Sequence, residues 1–279
     1  MKIAVLSDIH ANLAAFRAVL ADIESWRPDE VVIAGDIVNR GPRPAECLAL
    51  ALEKADKQGW RLVRGNHEDY VMLHAHPDAP RSETELEVHR GSYWTYCRLG
   101  GDIAPLEAMP FQQSLEGPDG REVRVVHASM RGNRDGIYPE TLDSTLKKQI
   151  APSPALLCVG HTHRPLVRRL KDTLVVNAGS AGLPFDLDPR PSYARLTWAS
   201  SGWRAEVVRV AYDLEAAAAD FFRSGFIPEA GPLAELVLIE LRQARSQLFQ
   251  WACQYQQRCL SGELSMEASV REFMTKSHP

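Results

Sequence analysis

Short apolar runs rich in β-branched residues place the strongest constraint on how this chain can fold. Within each run the apolar residues follow one another without alternation, which is typical of strands buried on both faces of a sheet. The runs are residues 3–6, 31–34, 62–63, 123–126, 156–159 and 174–176. Helical patterns after Asn12 and after Pro42 separate the first three runs. The sequence therefore predicts an α/β fold that begins β-α-β-α-β.

Two hairpins are predicted in the later part of the sheet system. One turns at Pro118-Asp119-Gly120 and ends in the run 123–126, and the other joins residues 193–198 to residues 203–210. Hairpins pair strands antiparallel, so we expect the second half of the sheet system to be more antiparallel than the first.

Residues 72–110 interrupt this rhythm and are interpreted as an insertion beside the functional site. They contain one predicted helix from about Glu83 to Cys97 and a short one over residues 103–109. Tyr93, Trp94 and Tyr96 could stack on a nucleobase, although aromatic side chains at helical spacing more often belong to a core. The insertion is expected to stand over the site and to limit what reaches it.

The chain becomes entirely helical after residue 212. Asp213 is predicted to cap a helix over residues 214–222, and Pro232 to open one long helix running to about Cys259. We therefore divide the chain into a domain of residues 1–212 and a helical extension of residues 213–279. An apolar seam on the long helix predicts either a homodimer or packing on the chain itself, for instance on residues 264–274. The seam consists of Val237, Leu241, Ala244, Leu248, Trp251 and Tyr255.

Composition argues against nucleic-acid-binding, disulfide-rich and membrane proteins. The formal charge of −4 would repel a nucleic-acid backbone, so no long nucleic-acid partner is expected. The five cysteines are scattered and never spaced C-x-x-C, which argues against a disulfide framework and indicates a reducing compartment. No run is long enough to span a membrane, and residues 3–6 are too short for a signal peptide. These features predict a cytoplasmic protein without a membrane partner.

Metal-binding residue types follow five of the runs directly. They are Asp8 and His10 after the first run, Asp36 after the second, Asn66 and His67 after the third, His127 after residues 123–126, and His161 and His163 after residues 156–159. Ligand sites of open α/β sheets gather at the carboxyl ends of the strands, so these side chains should converge. Oxygen and imidazole ligands without thiolate suit manganese, iron, nickel or zinc, and the number of imidazoles argues against calcium and magnesium.

The number of these side chains favours two ions over one. A single ion rarely needs seven such ligands, whereas two ions can share them if a carboxylate bridges. Two ions about 3.5 to 4 Å apart can clamp a phosphoryl group and supply hydroxide. The spacing thus predicts a two-metal hydrolase.

Five ordered motifs resemble the signatures of the calcineurin-like metallophosphoesterase superfamily. They are Asp8-Ile9-His10, Gly35-Asp36-Ile37-Val38-Asn39-Arg40-Gly41, Gly65-Asn66-His67-Glu68, Val126-His127-Ala128 and Gly160-His161-Thr162-His163. The resemblance spans residues 1 to about 212. The segment Asn177-Ala178-Gly179-Ser180 is also similar to the bacterial YfcE-like and diadenosine-tetraphosphatase-like branch.

The resemblance implies a four-layer αββα sandwich of two mixed sheets flanked by helices, and it divides the ligands between two divalent ions. Asp8, His10 and His163 would hold the first ion, Asn66, His127 and His161 the second, and Asp36 would bridge them. His67 would protonate the leaving oxygen while a metal-generated hydroxide attacks phosphorus. An imidazole suits that role because its pKa lies near neutrality.

The chain departs from the protein serine/threonine phosphatases at Asn39, where that group has an aspartate paired with the histidine that corresponds to His67. An amide can orient an imidazole but cannot stabilise its protonated form by charge. Arg40 is retained and is predicted to bind phosphate. A small, nucleotide-like phosphomonoester or phosphodiester is the expected substrate. The alternatives are protein phosphatase-like activity and a metal-binding scaffold with vestigial activity.

Overall fold

The computed structural model describes residues 1–80, 82–200 and 202–277. The predicted β-α-β-α-β start is confirmed. Its elements are β1 (Lys2–Leu6), α1 (Leu13–Trp26), β2 (Glu30–Ile33), α2 (Pro44–Gln58) and β3 (Arg61–Leu62). The chain continues with α3 (Asn66–Met72) and then with the helices of the insertion, which are a 3₁₀ turn (Leu73–Ala75), α4 (Glu83–Val88), α5 (Arg90–Arg98) and α6 (Ala104–Glu107). The remaining elements of the sandwich are β4 (Gln112–Glu116), β5 (Glu122–Val126), α7 (Asp143–Gln149), β6 (Leu156–Val159), β7 (Leu166–Leu170), β8 (Thr173–Asn177), β9 (Ser192–Ala199) and β10 (Gly202–Arg209).

The strands form two mixed five-stranded sheets. The first has the order β10-β9-β1-β2-β3, and the second has the order β4-β5-β6-β8-β7. Strands β1, β2 and β3 run parallel, as do β5, β6 and β8. Both predicted hairpins are confirmed, because β4 pairs antiparallel with β5 and β9 with β10. Strand β7 was not predicted, because its sequence Leu-Val-Arg-Arg-Leu contains no continuous apolar run.

Alternate residues of the central strands face two different cores, which is why their sequences are apolar throughout. In β1, Ile3 and Val5 lie between the two sheets, while Ala4 and Leu6 pack beneath α1 and α2. Across the second sheet, Leu157 and Val159 of β6 pack with residues around α7. The layers are therefore helix, sheet, sheet and helix, which confirms the predicted αββα sandwich.

The insertion, residues 72–110, is described by the structure except for residue 81, and its helices differ from the prediction. The single helix expected over residues 83–97 is two helices, α4 and α5, because the backbone leaves helical geometry at His89. Trp94 does not face a substrate. It is buried against Phe226, with ring centroids 5.0 Å apart, so of the two roles considered for it the structure supports the core residue and not nucleobase stacking. Trp94 instead packs the insertion against the helical extension.

The helical extension contains α8 (Leu214–Arg223), α9 (Phe226–Glu229), α10 (Leu233–Gln243), α11 (Leu248–Trp251), a π-helical segment (Ala252–Gln256), α12 (Gln257–Leu260) and α13 (Met266–Ser277). The prediction of one long helix to Cys259 is wrong. Helix α10 ends at Ala244, whose φ of 50° is left-handed. The buried Glu240 carboxylate accepts hydrogen bonds from the backbone N–H groups of Gln247 and Leu248, and it thereby stabilises the turn.

The apolar seam on these helices is covered by the chain itself. Val237 and Leu241 lie in a core with Trp94 and Phe221, while Trp251 and Tyr255 pack with Phe273 of α13. These side chains are buried within the chain, so the seam is not available as the homodimer interface that was predicted. Within the described ranges, no helix combines the length and the apolar character needed to cross a membrane.

Candidate metal centre

All seven predicted ligands converge where the two sheets meet. Strands β1, β2 and β3 of the first sheet and β5 and β6 of the second all end at this edge. The convergence requires unusual backbone geometry, because several site residues adopt left-handed φ angles between 48° and 69°. They are Asp8, His10, Asp36, Asn39, Arg40, His161 and His163. Such conformations cost about 1–3 kcal/mol each for non-glycine residues and concentrate at functional sites.

One group of ligands surrounds Asp8. Asp8 Oδ1 lies 3.2 Å from His163 Nε2 and 3.8 Å from His10 Nε2. His10 Nε2 also lies 3.7 Å from Asp36 Oδ2. The ligand atoms of these four buried residues lie within 4.8 Å of one another, a spacing at which they could hold one metal ion.

A second group surrounds the side-chain oxygen of Asn66. Asn66 Oδ1 lies 3.0 Å from His127 Nε2 and 2.8 Å from His161 Nδ1. His127 Nε2 is also 3.4 Å from Asp36 Oδ2. The same carboxylate oxygen of Asp36 thus approaches a histidine of each group.

Hydrogen bonds to backbone carbonyls orient three of the imidazoles so that their Nε2 atoms face the other candidate ligands. His127 Nδ1 donates to the Ala34 carbonyl over 2.8 Å, and the Nδ1 atoms of His10 and His163 donate to the carbonyls of Asn39 and Leu183. In the neutral imidazole, Nε2 then carries a lone pair. His10 Nε2 and His163 Nε2 face each other at 3.1 Å, so two lone pairs meet unless a cation separates them.

The electrostatics of the centre also favour a cation. Asp8 Oδ1 is buried without a hydrogen-bond partner in the described structure. Burial opposes charge on His127, yet the Asp36 and Asp8 carboxylates raise the pKa of His127 to about 10. Burial would raise the pKa of Asp36, but His127 and His67 hold it well below its usual range. A site that draws a proton so strongly onto His127 would favour a divalent ion for the same reason. The residues therefore fit a metal.

Two glycines allow the loops of the centre to approach each other closely. A Cβ atom at Gly65 would lie 2.1 Å from Asp36 Oδ1, and one at Gly160 would lie 2.4 Å from Asp8 Oδ2. Asn177 supports the Gly160 loop, because its Nδ2 donates to the Gly160 carbonyl over 2.7 Å. The positions of the Asp36 and Asp8 carboxylates therefore require glycine at residues 65 and 160, because a side chain there would collide with them.

Glu68 organises the Asp36 turn, a role that the sequence did not reveal. Its buried carboxylate accepts four backbone hydrogen bonds, from the N–H groups of Asp36, Ile37, Val38 and Gly65, over 2.8 to 3.2 Å. Burial and the Asp36 charge raise the pKa of Glu68 to about 7, against the effect of these bonds. The spacing in Gly65-Asn66-His67-Glu68 resembles a capping box, and this pattern could have indicated from the sequence that Glu68 binds backbone N–H groups.

We expect Glu68→Gln to lower the free energy of unfolding by about 3 kcal/mol. An amide has one acceptor oxygen, so its NH₂ group would face backbone N–H donors that the second carboxylate oxygen now satisfies. Chemical denaturation would measure the loss. Glu107→Gln is the control, because Glu107 is exposed and makes no side-chain hydrogen bond in the described ranges. A change below about 0.5 kcal/mol in Glu68→Gln would contradict this role.

Asn39 takes the place of the phosphatase aspartate and contacts His67. Asn39 Oδ1 accepts a hydrogen bond from the Arg40 N–H over 2.8 Å, so its amide nitrogen must face His67 Nδ1, 2.9 Å away. Because that nitrogen donates, His67 Nδ1 accepts and the imidazole proton lies on Nε2. Desolvation lowers the pKa of His67 to about 3. Asn39 thus fixes the tautomer of a neutral imidazole.

Arg40 is oriented by the helical extension. Its Nη2 lies 3.1 Å from Oε2 and 3.2 Å from Oε1 of the fully buried Glu240. Its guanidinium also stands 5.7 Å from the Phe185 ring, and Phe185 stacks on His163 at 4.2 Å. Over the residues described, the guanidinium makes no other hydrogen bond, so its remaining N–H groups are available to an anion. Neither Glu240 nor Phe185 could be assigned from the sequence, since both act through distant contacts.

An αββα sandwich that brings aspartate, histidine and asparagine side chains together at the strand ends is typical of a metal-dependent phosphoesterase. The chain belongs to this group: residues 1–201 match the family model described as the calcineurin-like phosphoesterase superfamily domain. The predicted family resemblance and hydrolase class are thereby confirmed.

Three comparisons place the chain within the family. A metallophosphoesterase structure from Sphaerobacter thermophilus is 30% identical with a TM-score of 0.67, and the match covers 88% of this chain and 99% of that one. An uncharacterized protein of Methanocaldococcus jannaschii is 28% identical over 77% of this chain and 89% of its own length. Phosphodiesterase YfcE of Escherichia coli is 25% identical over 70% of this chain and 87% of its own length. The similarity to YfcE supports the predicted branch.

Proposed function

We propose that this protein is a dinuclear phosphoesterase that hydrolyses a small, nucleotide-like phosphomonoester or phosphodiester. The observation that carries the proposal is the position of Asp36. Its Oδ2 lies 3.7 Å from His10 Nε2 in one ligand group and 3.4 Å from His127 Nε2 in the other. A carboxylate oxygen close to a histidine of each ligand group supports the proposal that Asp36 bridges two ions.

The ligands divide as the family resemblance implies. Asp8, His10 and His163 would hold one ion, Asn66, His127 and His161 would hold the other, and Asp36 would bridge. Manganese, iron, nickel or zinc suit this donor set. When bound, the two ions supply Lewis acidity toward the phosphate oxygens and lower the pKa of a water molecule.

Two side chains next to the ligands act on the substrate. Arg40, held by Glu240, donates its free N–H groups to phosphate oxygens. His67 presents the proton on Nε2 to the leaving oxygen, while Asn39 keeps Nδ1 engaged. The negative charge of a bound phosphate favours the protonated imidazole. Because both ring nitrogens of that form donate, the Asn39 amide must then turn its Oδ1 toward Nδ1–H, where the phosphatases have the aspartate.

The surroundings of the centre favour a small substrate over a folded phosphoprotein. Val88, His89, Gly91 and Ser92 of the insertion line the cavity beside His67, and helices of the extension line its opposite side. A phosphoserine on a folded surface would have to pass between these two parts. The small phosphorylated substrate is accordingly the partner that we propose.

We expect the manganese-reconstituted protein to hydrolyse a nucleotide or bis-p-nitrophenyl phosphate at least ten times more efficiently, in kcat/KM, than a phosphoserine protein. A tenfold ratio corresponds to about 1.4 kcal/mol of differential transition-state binding. Parallel assays of these substrates, with p-nitrophenyl phosphate to separate monoesterase from diesterase, test the proposal. Equal or better activity on the phosphoprotein would favour the phosphatase-like alternative, and no activity on any ester would favour the metal-binding scaffold.

A further inference from the structure

A cavity of about 480 Å³ lies beside the metal centre, a size typical of small-molecule sites. One wall belongs to the phosphoesterase site and includes Asn39, Arg40, His67 and Tyr70. The proposed proton donor, His67, thus forms part of the boundary of this space. The cavity is therefore a space into which a group attached to the leaving oxygen can extend.

Another wall is apolar and comes from the helical extension, beside the polar side chains of His89, Ser92 and Gln256. It includes Phe226, Ala230, Leu233, Ala234, Val237 and Leu248. Side chains of this kind cannot hydrogen-bond to a sugar or to water, but they gain free energy when apolar surface covers them. The chemistry of this wall therefore selects an apolar group.

Phe249 marks where that group would lie. It lines the same cavity, yet 71% of its surface is exposed to solvent. A phenyl ring at the mouth of an apolar cavity is a ready surface for a second aromatic ring, which prefers stacked or edge-to-face contact.

The rim of the cavity carries a cation on the side of the catalytic wall. The Arg134 guanidinium stands 4.6 Å from the Tyr70 ring, and the Tyr70 ring is in edge contact with His67 at 5.1 Å. In the part of the chain that the structure describes, Arg134 forms no ion pair. A guanidinium attracts the face of an aromatic ring, and this one adds positive charge to the lining of the cavity.

We propose that this cavity is the subsite for the leaving group of the substrate and that it takes a flat aromatic group, with Phe249 as its contact. The inference rests on the proposed function, because His67 is what ties the cavity to the leaving oxygen. The apolar wall, the exposed ring and the rim cation all favour a leaving group that carries an aromatic ring, as the base of a nucleotide does, over a short alkyl chain. The helical extension thereby determines specificity, while the strand ends supply the chemistry.

Binding of two phosphonates to the manganese-loaded protein tests the subsite without turnover. By titration calorimetry, (1-naphthylmethyl)phosphonate should bind at least about tenfold more tightly than methylphosphonate, since only the former reaches the apolar wall. Phe249→Ala should reduce this affinity ratio about fivefold. Phe249 is exposed, so its truncation should leave the fold intact. Phe222→Ala is the matched control, because Phe222 is 59% exposed on α8 and does not line the cavity. This variant should retain the ratio.

The outcomes separate the subsite from the proposed function. Equal affinity for the two phosphonates, or an unchanged ratio in Phe249→Ala, would overturn the subsite even if bis-p-nitrophenyl phosphate is hydrolysed normally. A tenfold preference that is lost in Phe249→Ala but kept in Phe222→Ala would support it. If the wild-type protein shows that preference without hydrolysing any ester, the aromatic site is correct and the proposed function is wrong.

Discussion

Replacing Asp36 with alanine should reduce the metal content from two ions per chain to less than one and lower kcat/KM about 10⁴-fold. Asp36 Oδ2 approaches both ligand groups, so its removal affects both ions at once. The loss corresponds to about 5 kcal/mol of transition-state stabilisation by the ions. Elemental analysis after reconstitution with manganese, together with hydrolysis of bis-p-nitrophenyl phosphate, measures both quantities.

His163→Ala provides the matched comparison for Asp36→Ala. His163 lies near Asp8 and His10 and is not part of the Asn66 group, so this variant should weaken one ion and retain the other. One ion per chain in the wild-type protein under saturating manganese would contradict the dinuclear arrangement. So would equal metal loss in the two variants.

Replacing His67 with asparagine should slow turnover of esters with poor leaving groups by about 10²- to 10⁴-fold while leaving the metal content unchanged. The imidazole contacts Asn39 through Nδ1, and its Nε2 proton is available to the leaving oxygen. Activated esters such as p-nitrophenyl phosphate need less help from an acid and should lose less activity. The measurement is kcat for alkyl and nitrophenyl esters, compared within each variant.

Metal analysis is the essential control for His67→Asn. Asn66 precedes His67 directly, and the His67 backbone N–H donates to Asp36 Oδ1 over 2.9 Å, so a disturbed loop could affect the ions indirectly. Loss of an ion from this variant would make His67 a ligand and contradict the division of roles. An equal slowing of both ester types would contradict the role of proton donor.

The convergence of the candidate ligands could be predicted from the sequence because each of them follows a strand that local rules identify. Asp36 and His127 follow continuous apolar runs, such runs are strands, and parallel strands of a sandwich end at the same edge. The resemblance of the motifs then assigned ligands to ions, which spacing alone could not do. The αββα layers followed from the same runs, because a strand that is apolar on both faces must be covered on both.

The remaining features depend on contacts between distant parts of the chain. Glu68 binds backbone groups about thirty residues earlier, and Glu240 binds Arg40 across two hundred residues. No periodicity or spacing reports such pairs. The break at Ala244 has the same origin: the local pattern favours a continuous helix, but the Glu240 carboxylate stabilises a turn of the following backbone. Trp94 satisfied helical periodicity, and only its contact with Phe226 shows that it belongs to a core.

The pairing of Arg40 with Glu240 has a consequence for the order in which the enzyme matures during synthesis. Domains fold from the N-terminus as the chain leaves the ribosome, so the strand ends that bear the metal ligands can assemble before residue 240 has emerged. At that stage Arg40 has no carboxylate to orient it, and the apolar side of the neighbouring cavity has not been made. Under the proposed function, a nascent chain would therefore pass through a stage in which the candidate metal ligands are assembled but the substrate-binding surface is still incomplete.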